Sequence, residues 1–165
     1  MALARMGATV VGVDFSPVAV EHAAERAAAY GLADQVTFVC ASVDDAPTAT
    51  DDGFDGVYTS WGVLCWLPDI SAWARAIAAL LVPGGWLYLA ETHPHAMTLR
   101  WPEYRYGGSE AIFDDQQGDY TDADAIFEHP ESWQWNWSLG EIVTALADVG
   151  LHIEWLHEHT VVRWH

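Results

Sequence analysis

Val10-Val11-Gly12-Val13-Asp14-Phe15-Ser16-Pro17 is the stretch whose reading decides the fold. Apolar β-formers run into one acid, and a helix opens directly after it. Ser16 is a helix-capping residue, and Pro17 stands in the first turn, where the N–H it lacks has no partner to lose. In an open α/β sheet, ligands bind in the crevice outside the carboxyl ends of the parallel strands. A carboxylate at such a tip has two oxygens for the two hydroxyls of a ribose. Asp14 is nominated for that role; the competing reading is an acid that ends a strand beside a turn.

Working outward, Met1-Ala2-Leu3-Ala4-Arg5-Met6-Gly7 reads as the tail of a helix ending at Gly7, with Met1 an internal methionine of a longer chain. Downstream, residues 17–30 predict a helix with Val20, Ala23, Ala24, Ala27 and Ala28 on one face and Gly31 beyond its end. Val36–Cys40 predicts a second strand. The turn-rich Ala41–Pro47 leads to an acidic loop around Asp51 and Asp52, and Phe54–Ser60 predicts a third strand. Asp69 caps a helix over 70–81, Pro83-Gly84-Gly85 breaks it, and Trp86–Glu91 predicts a fourth strand. Strand, helix, strand, strand, helix, strand is the pattern of a parallel α/β sheet.

Residues 92–137 lose apolar periodicity and are dominated by Gly, Pro, Asp and aromatics, which suits a lid or substrate-binding insert. Within it, Trp133, Trp135 and Trp137 alternate as on one face of a strand. Ser138 and Glu141 form a capping box that opens a helix through Val149, with Gly150 at its end. Leu151–Leu156 predicts a fifth strand. With no internal repeat, residues 1–165 read as one domain containing the 92–137 insert.

The composition is globular, with 52% hydrophobic and 13% aromatic residues among 165. The formal charge is −18, and the only cations are six arginines, with no lysine. Such a surface repels phosphate backbones and anionic membranes, so neither nucleic acid nor membrane is an expected partner. No apolar run reaches the ~18 residues of a membrane span, and no signal peptide opens the chain. Cys40 and Cys65 sit in apolar strand-like contexts, which predicts buried free thiols and a cytoplasmic location.

The Val11–Pro17 strand-acid-helix, the Phe54-Asp55 strand ending in Thr59-Ser60, and Leu80-Leu81-Val82-Pro83-Gly84-Gly85-Trp86-Leu87 together resemble the class I S-adenosylmethionine-dependent methyltransferases of small-molecule type. The Ser138–Leu156 block is similar to the late helix and strand of those enzymes. The resemblance implies a Rossmann-like three-layer sandwich with a mostly parallel sheet, here incomplete at the N-terminus. None of the 13 glycines forms the family's Gly-x-Gly-x-Gly turn, which approaches the methionine half of the cofactor. The first strand, that loop and a final antiparallel strand are expected to be missing. Weak binding of S-adenosylmethionine follows, and micromolar affinity or better would contradict it. Unpaired strand edges left by such a gap would admit a homodimer.

The same resemblance implies that Asp14 binds the ribose hydroxyls, Phe15 packs on the adenine, and Ser42 and Val43 contact the adenine edge, the latter through its N–H. Many relatives have an acid where Ser42 stands, and a hydroxyl accepts more weakly. Thr59 and Ser60 border the methionine portion. Trp61 and Trp66 follow where the family meets cofactor and substrate, and with Tyr58 they are placed for cation–π attraction to a sulfonium. His95 and Trp135 complete the expected substrate wall around a small, partly apolar methyl acceptor. Methyl transfer chiefly requires alignment of nucleophile and methyl. A base is needed only for a nucleophile of high pKa, and His93 and Glu91, at or beyond a strand tip, are the candidates.

His152, His157, Glu158 and His159 offer at most two metal ligands on one face, so no metal is expected. The chain lacks a Gly-x-Ser-x-Gly elbow and a Gly-x-x-x-x-Gly-Lys loop. Two alternatives stand beside methyl transfer: a nicotinamide-dependent Rossmann oxidoreductase, which also holds ribose with a strand-tip acid, and a non-catalytic protein-interaction module.

Overall fold

The computed structural model describes residues 1–50, 53–100, 104–115 and 130–160. Their backbone contacts form two compact units, Met1–Val57 with Arg75–Trp86, and Tyr58–Ala74 with Leu87–His165.

In the first unit, α1 (Ala2–Arg5) ends at Gly7, whose φ of +100° closes the turn. β1 (Val10–Asp14) pairs in parallel with β2 (Val36–Cys40), in register from Val10 opposite Val36 to Asp14 opposite Cys40. Between them, α2 (Pro17–Ala29) starts as the sequence requires: Ser16 Oγ accepts the N–H of Ala19 at 3.2 Å, and Pro17 occupies the first turn. Gly31, at φ +68°, turns the chain out of the helix. The core is formed by Ala4, Ala27, Leu32 and Val36, with Met1, Val10 and Phe38 against them. Of the α2 face expected to be apolar, Ala27 is buried and Val20 and Ala23 half-buried, while Ala24 and Ala28 are exposed. Gly12 is dictated by close approach, since a Cβ there would lie 2.7 Å from the Phe38 ring. After β2 comes the short helix α3 (Ala46–Ala49).

β3 (Phe54–Ser60) pairs with β4 (Leu81–Ala90). Gly53 faces Val82 and Gly56 lies under Trp86 in the first unit, while Trp61 N–H donates to the Ala90 carbonyl in the second. Both chains advance in the same direction, so the pair is parallel. The helix between them, α4 (Ile70–Leu80), stops one residue earlier than expected. The strand begins at once, so Pro83-Gly84-Gly85 lies inside β4 rather than before it. Gly84 takes φ +84°, and a Cβ on Gly85 would crowd the Val82 and Phe54 carbonyls.

In the second unit, a 3₁₀ turn spans Leu64–Trp66, and α5 (Pro94–Arg100) follows β4. β5 (Ile112–Asp114) and β6 (Ser132–Gln134) form an antiparallel pair, with Phe113 and Trp133 opposite each other and their rings 5.2 Å apart. α6 (Leu139–Asp148) carries the full capping box: Ser138 Oγ accepts from Glu141 N–H, and Glu141 accepts from Ser138 N–H. Leu64, Ile70, Trp73, Ala74, Tyr104, Trp137, Ile142, Ala145 and Leu146 are buried in this unit.

The expected α/β pattern with parallel strand pairing is present, and the described strands pair two by two in three sheets. Three expectations are corrected. Leu151–Leu156 is not a strand; among the described residues no strand pairs with it, and Ile153, Trp155 and Leu156 are exposed. Side chains tether the segment instead, with the Trp155 ring 5.9 Å from Tyr88. The Trp133, Trp135, Trp137 stripe does not share one strand face. β6 is only as long as its partner β5, so Trp133 is exposed, Trp135 half-buried and Trp137 buried. Both cysteines are free, but Cys40 is exposed and Cys65 half-buried. The acidic loop around Asp51 and Asp52 lies outside the described residues.

Candidate functional site

In the first unit the tips of β1 and β2 bring Asp14, Phe15, Ser42 and Val43 to one end of a parallel pair. Asp14 is exposed, and its Oδ1 accepts the N–H of Ser16 at 2.8 Å, which fixes the carboxylate beside the start of α2. Its Oδ2 makes no hydrogen bond among the described residues. Phe15 is 78% exposed, an apolar ring with no burial to explain it. Its carbonyl accepts from the Cys40 thiol, and the Asp14 carbonyl accepts from Ala41 N–H, so the two tips are joined. Ser42 is engaged locally: its hydroxyl donates to Asp45 Oδ2 at 2.7 Å and accepts Asp45 N–H at 3.1 Å. One lone pair remains for a ligand. A shallow cavity in this unit, lined by Met1, Arg5, Ala23, Arg26, Tyr30 and Phe38, contains none of the nominated residues.

In the second unit the ends of β3 and β4 carry the rest. Thr59 is buried and Ser60 half-buried on β3, and Tyr58 stacks on Tyr88 with ring centroids 5.1 Å apart. Trp61 follows in the left-handed region at φ +54°, the only non-glycine there among the described residues. Trp61 and Trp66 are each about half-exposed (48% and 51%), too open for core packing alone. Trp135 N–H donates to the Cys65 carbonyl at 2.8 Å, bringing Trp135 to the same loop.

Glu91, nominated as a base, has its carboxylate taken up by the backbone. Oε1 accepts from Gly62 N–H at 2.6 Å and Thr92 N–H at 2.9 Å; Oε2 accepts from Val63 N–H at 2.9 Å and Leu64 N–H at 3.1 Å. Burial, and secondarily the Glu91 charge, push the Cys65 thiol up to about 12, so it stays protonated and reacts slowly. His93 Nδ1 accepts the N–H of His95 at 3.1 Å, which places the ring proton on Nε2, 2.7 Å from Glu158 Oε1. His95 stands exposed, its ring edge-on to Tyr106 at 5.9 Å.

Sequence reading missed the clamp by Glu91 and the Glu158 partner of His93, because both join residues far apart in the chain. It also missed Asn136, buried, whose amide donates to the Pro94 and Arg105 carbonyls. Among the described residues no group of three or more His, Cys, Asp or Glu is arranged to hold a metal, and no helix is long and apolar enough to cross a membrane.

Comparison with known proteins places this arrangement. The family model described as a methyltransferase domain matches residues 1–85. The ubiquinone biosynthesis O-methyltransferase of Xanthomonas axonopodis pv. citri (strain 306) is 38% identical over 88 residues, covering 53% of this chain and 36% of that protein. Methyltransferase GfsG of Streptomyces halstedii is 36% identical over 87 residues, covering 53% and 31%. The chain thus matches about a third of the length of these curated relatives. An S-adenosylmethionine-dependent methyltransferase of Clostridium acetobutylicum ATCC 824 shares the fold at a TM-score of 0.62, with 15% identity over 87% of this chain and 64% of that structure.

Proposed function

The chain belongs to the methyltransferase domain family, and on that premise we propose that it takes part in methyl transfer from S-adenosylmethionine to a small, partly apolar acceptor. The observation that carries the reading is Asp14, exposed at the tip of a parallel strand and held by Ser16 N–H, inside the matched residues. The nicotinamide alternative is not favoured, since the family match and the curated relatives are methyltransferases.

When bound, S-adenosylmethionine supplies a methyl group already activated by its sulfonium. The chain's own part is to hold and orient. Asp14 accepts the ribose hydroxyls, Phe15 lies along the adenine, and Val43 N–H and the free lone pair of Ser42 meet its edge. The family resemblance, rather than the placement of the two units, assigns Thr59 and Ser60 to the methionine portion; within the second unit the Trp61 and Trp66 faces suit a cationic sulfur or a flat acceptor, an attraction of roughly 0.5–2 kcal/mol. His93 is the candidate proton acceptor. Its basic nitrogen is Nδ1, so proton uptake must displace the His95 N–H. His95 and Trp135 are assigned to the acceptor side, and residues 92–137 to a substrate-binding insert.

Photolabelling tests the reading. Ultraviolet irradiation with S-adenosylmethionine should label the chain, and S-adenosylhomocysteine but not a nicotinamide dinucleotide should prevent it. No labelling, or protection by the nicotinamide, would contradict it.

A second reading, self-association through sheet edges, is favoured by the two-stranded sheets among the described residues. Light scattering should then give a dimer mass; a monomer at all concentrations removes that reading.

A further inference from the structure

Four backbone N–H groups converge on one side chain. The N–H groups of Gly62, Val63 and Leu64 all point at the Glu91 carboxylate, and Thr92 N–H completes the set. Successive backbone N–H groups closing on an anion form a nest. Here the anion is supplied by the protein, 27 to 29 residues away in sequence. The nest requires the left-handed pair Trp61 at φ +54° and Gly62 at φ +80°. A bulky residue keeps such a conformation only where its surroundings hold it. On its far side the loop is held again: Trp135 N–H donates to Cys65 O and Trp137 Nε1 to Leu67 O at 2.9 Å. Between these two anchors stand Trp61 and Trp66, each about half-exposed.

We propose that Glu91 is a positioning residue rather than a proton acceptor: its carboxylate sets the 61–67 loop through four backbone N–H groups, so that Trp61 and Trp66 present a wall for a flat, apolar acceptor. The purpose of the wall rests on the methyl-transfer reading, whereas the setting of the loop rests on the hydrogen bonds alone. All four backbone N–H groups close on its two oxygens, so the carboxylate is engaged in holding the loop rather than open to an acceptor's proton.

Cys65 is the reporter, because it sits inside the loop and donates its S–H to Gly62 O. In the full chain carrying Cys40→Ser, the rate of Cys65 modification by 4,4′-dithiodipyridine is compared for Glu91, Glu91→Gln and Glu91→Asp. Gln breaks the nest by offering an amide to backbone donors and removes the charge that helps keep the thiol protonated. Modification should accelerate severalfold as the loop opens around the thiol, and acrylamide should quench tryptophan fluorescence differently. Asp keeps the charge but loses one methylene of reach, and should fall between the two. Glu141→Gln, which alters another carboxylate clamp, should react as the parent does. Saturation-transfer NMR should show 2-naphthol binding the parent, cyclohexanol binding less, and the preference vanishing in Glu91→Gln.

Parental thiol rates and parental quenching in Glu91→Gln would overturn the proposal, even with a lowered unfolding midpoint, because that is the pattern of a merely structural residue. If Glu91→Gln loses its circular dichroism, the Glu91→Asp rate decides, and a parental value overturns the proposal. Equal binding of the two alcohols would overturn the wall. None of these measurements uses S-adenosylmethionine, so failure of the cofactor to bind leaves them readable.

Discussion

His93 Nε2 and Glu158 Oε1 lie 2.7 Å apart, across 65 residues of sequence. Because His95 N–H occupies Nδ1, the neutral ring must carry its proton on Nε2 and donate it to Glu158. With Trp155 against Tyr88, the pair tethers a segment that pairs with no strand among the described residues. Glu158→Gln should loosen residues 151–160, raising amide hydrogen exchange there by up to about fivefold, since an exposed side-chain pair of this kind is worth no more than about 1 kcal/mol. Unchanged exchange would show that the aromatic contacts hold the segment alone.

Glu141 joins the capping box of α6 to Gly108. Burial pulls its carboxyl up, but hydrogen bonds from Ser138 and from Gly108 N–H outweigh that and leave it below the usual range. A carboxyl depressed in the folded state stabilises above its unfolded pKa, and that contribution is lost as pH falls through the folded value. The melting-temperature gap between the parent and Glu141→Gln should therefore be full at pH 7 and should shrink as the pH falls below the ordinary carboxyl value of 4.5. A gap independent of pH would show that the hydrogen bonds do not depend on the charge.

Asn136 is buried and gives both amide hydrogens to backbone carbonyls, of Arg105 at 2.7 Å and Pro94 at 3.1 Å. Asn136→Leu should lower stability by about 1–3 kcal/mol, as the carbonyl of buried Pro94 loses its donor while that of exposed Arg105 can turn to water. Denaturant unfolding measures it, and a neutral result would mean that water reaches both carbonyls.

Gly12→Ala should cost about 1–3 kcal/mol, because the added methyl would lie 2.7 Å from the Phe38 ring, which must shift to admit it. The same change at Gly140, where a Cβ meets only Ser138 Oγ at 4.0 Å, should be neutral or slightly stabilising in a helix. Reversed signs in thermal unfolding would overturn this account of the two glycines.

The elements legible in the sequence were those whose signal is local. Ser16 and Pro17 opened α2, Ser138 and Glu141 opened α6, and the β-branched runs at Val10 and Val36 became strands because each finds the other. Leu151–Leu156 has an equally good strand pattern and failed, since a strand exists only with an edge to pair with. α5 and the β5–β6 pair were hidden among polar and aromatic residues without periodicity. In the candidate site, Asp14 was legible because a strand-tip acid beside a helix start is a local pattern. Glu91 was legible only as an acid at a strand end. Whether such an acid gives protons or holds a backbone depends on which N–H groups reach it, and those come from residues 62–64.

Asp14 carries the central claim, and calorimetric titration of S-adenosylmethionine into the chain and into Asp14→Ala tests it most directly. The account predicts saturable binding that weakens at least about tenfold in Asp14→Ala, as expected for losing hydrogen bonds to a charged acceptor worth about 1.5–3 kcal/mol. Binding unchanged by Asp14→Ala, or no saturable binding to the parent, would contradict it.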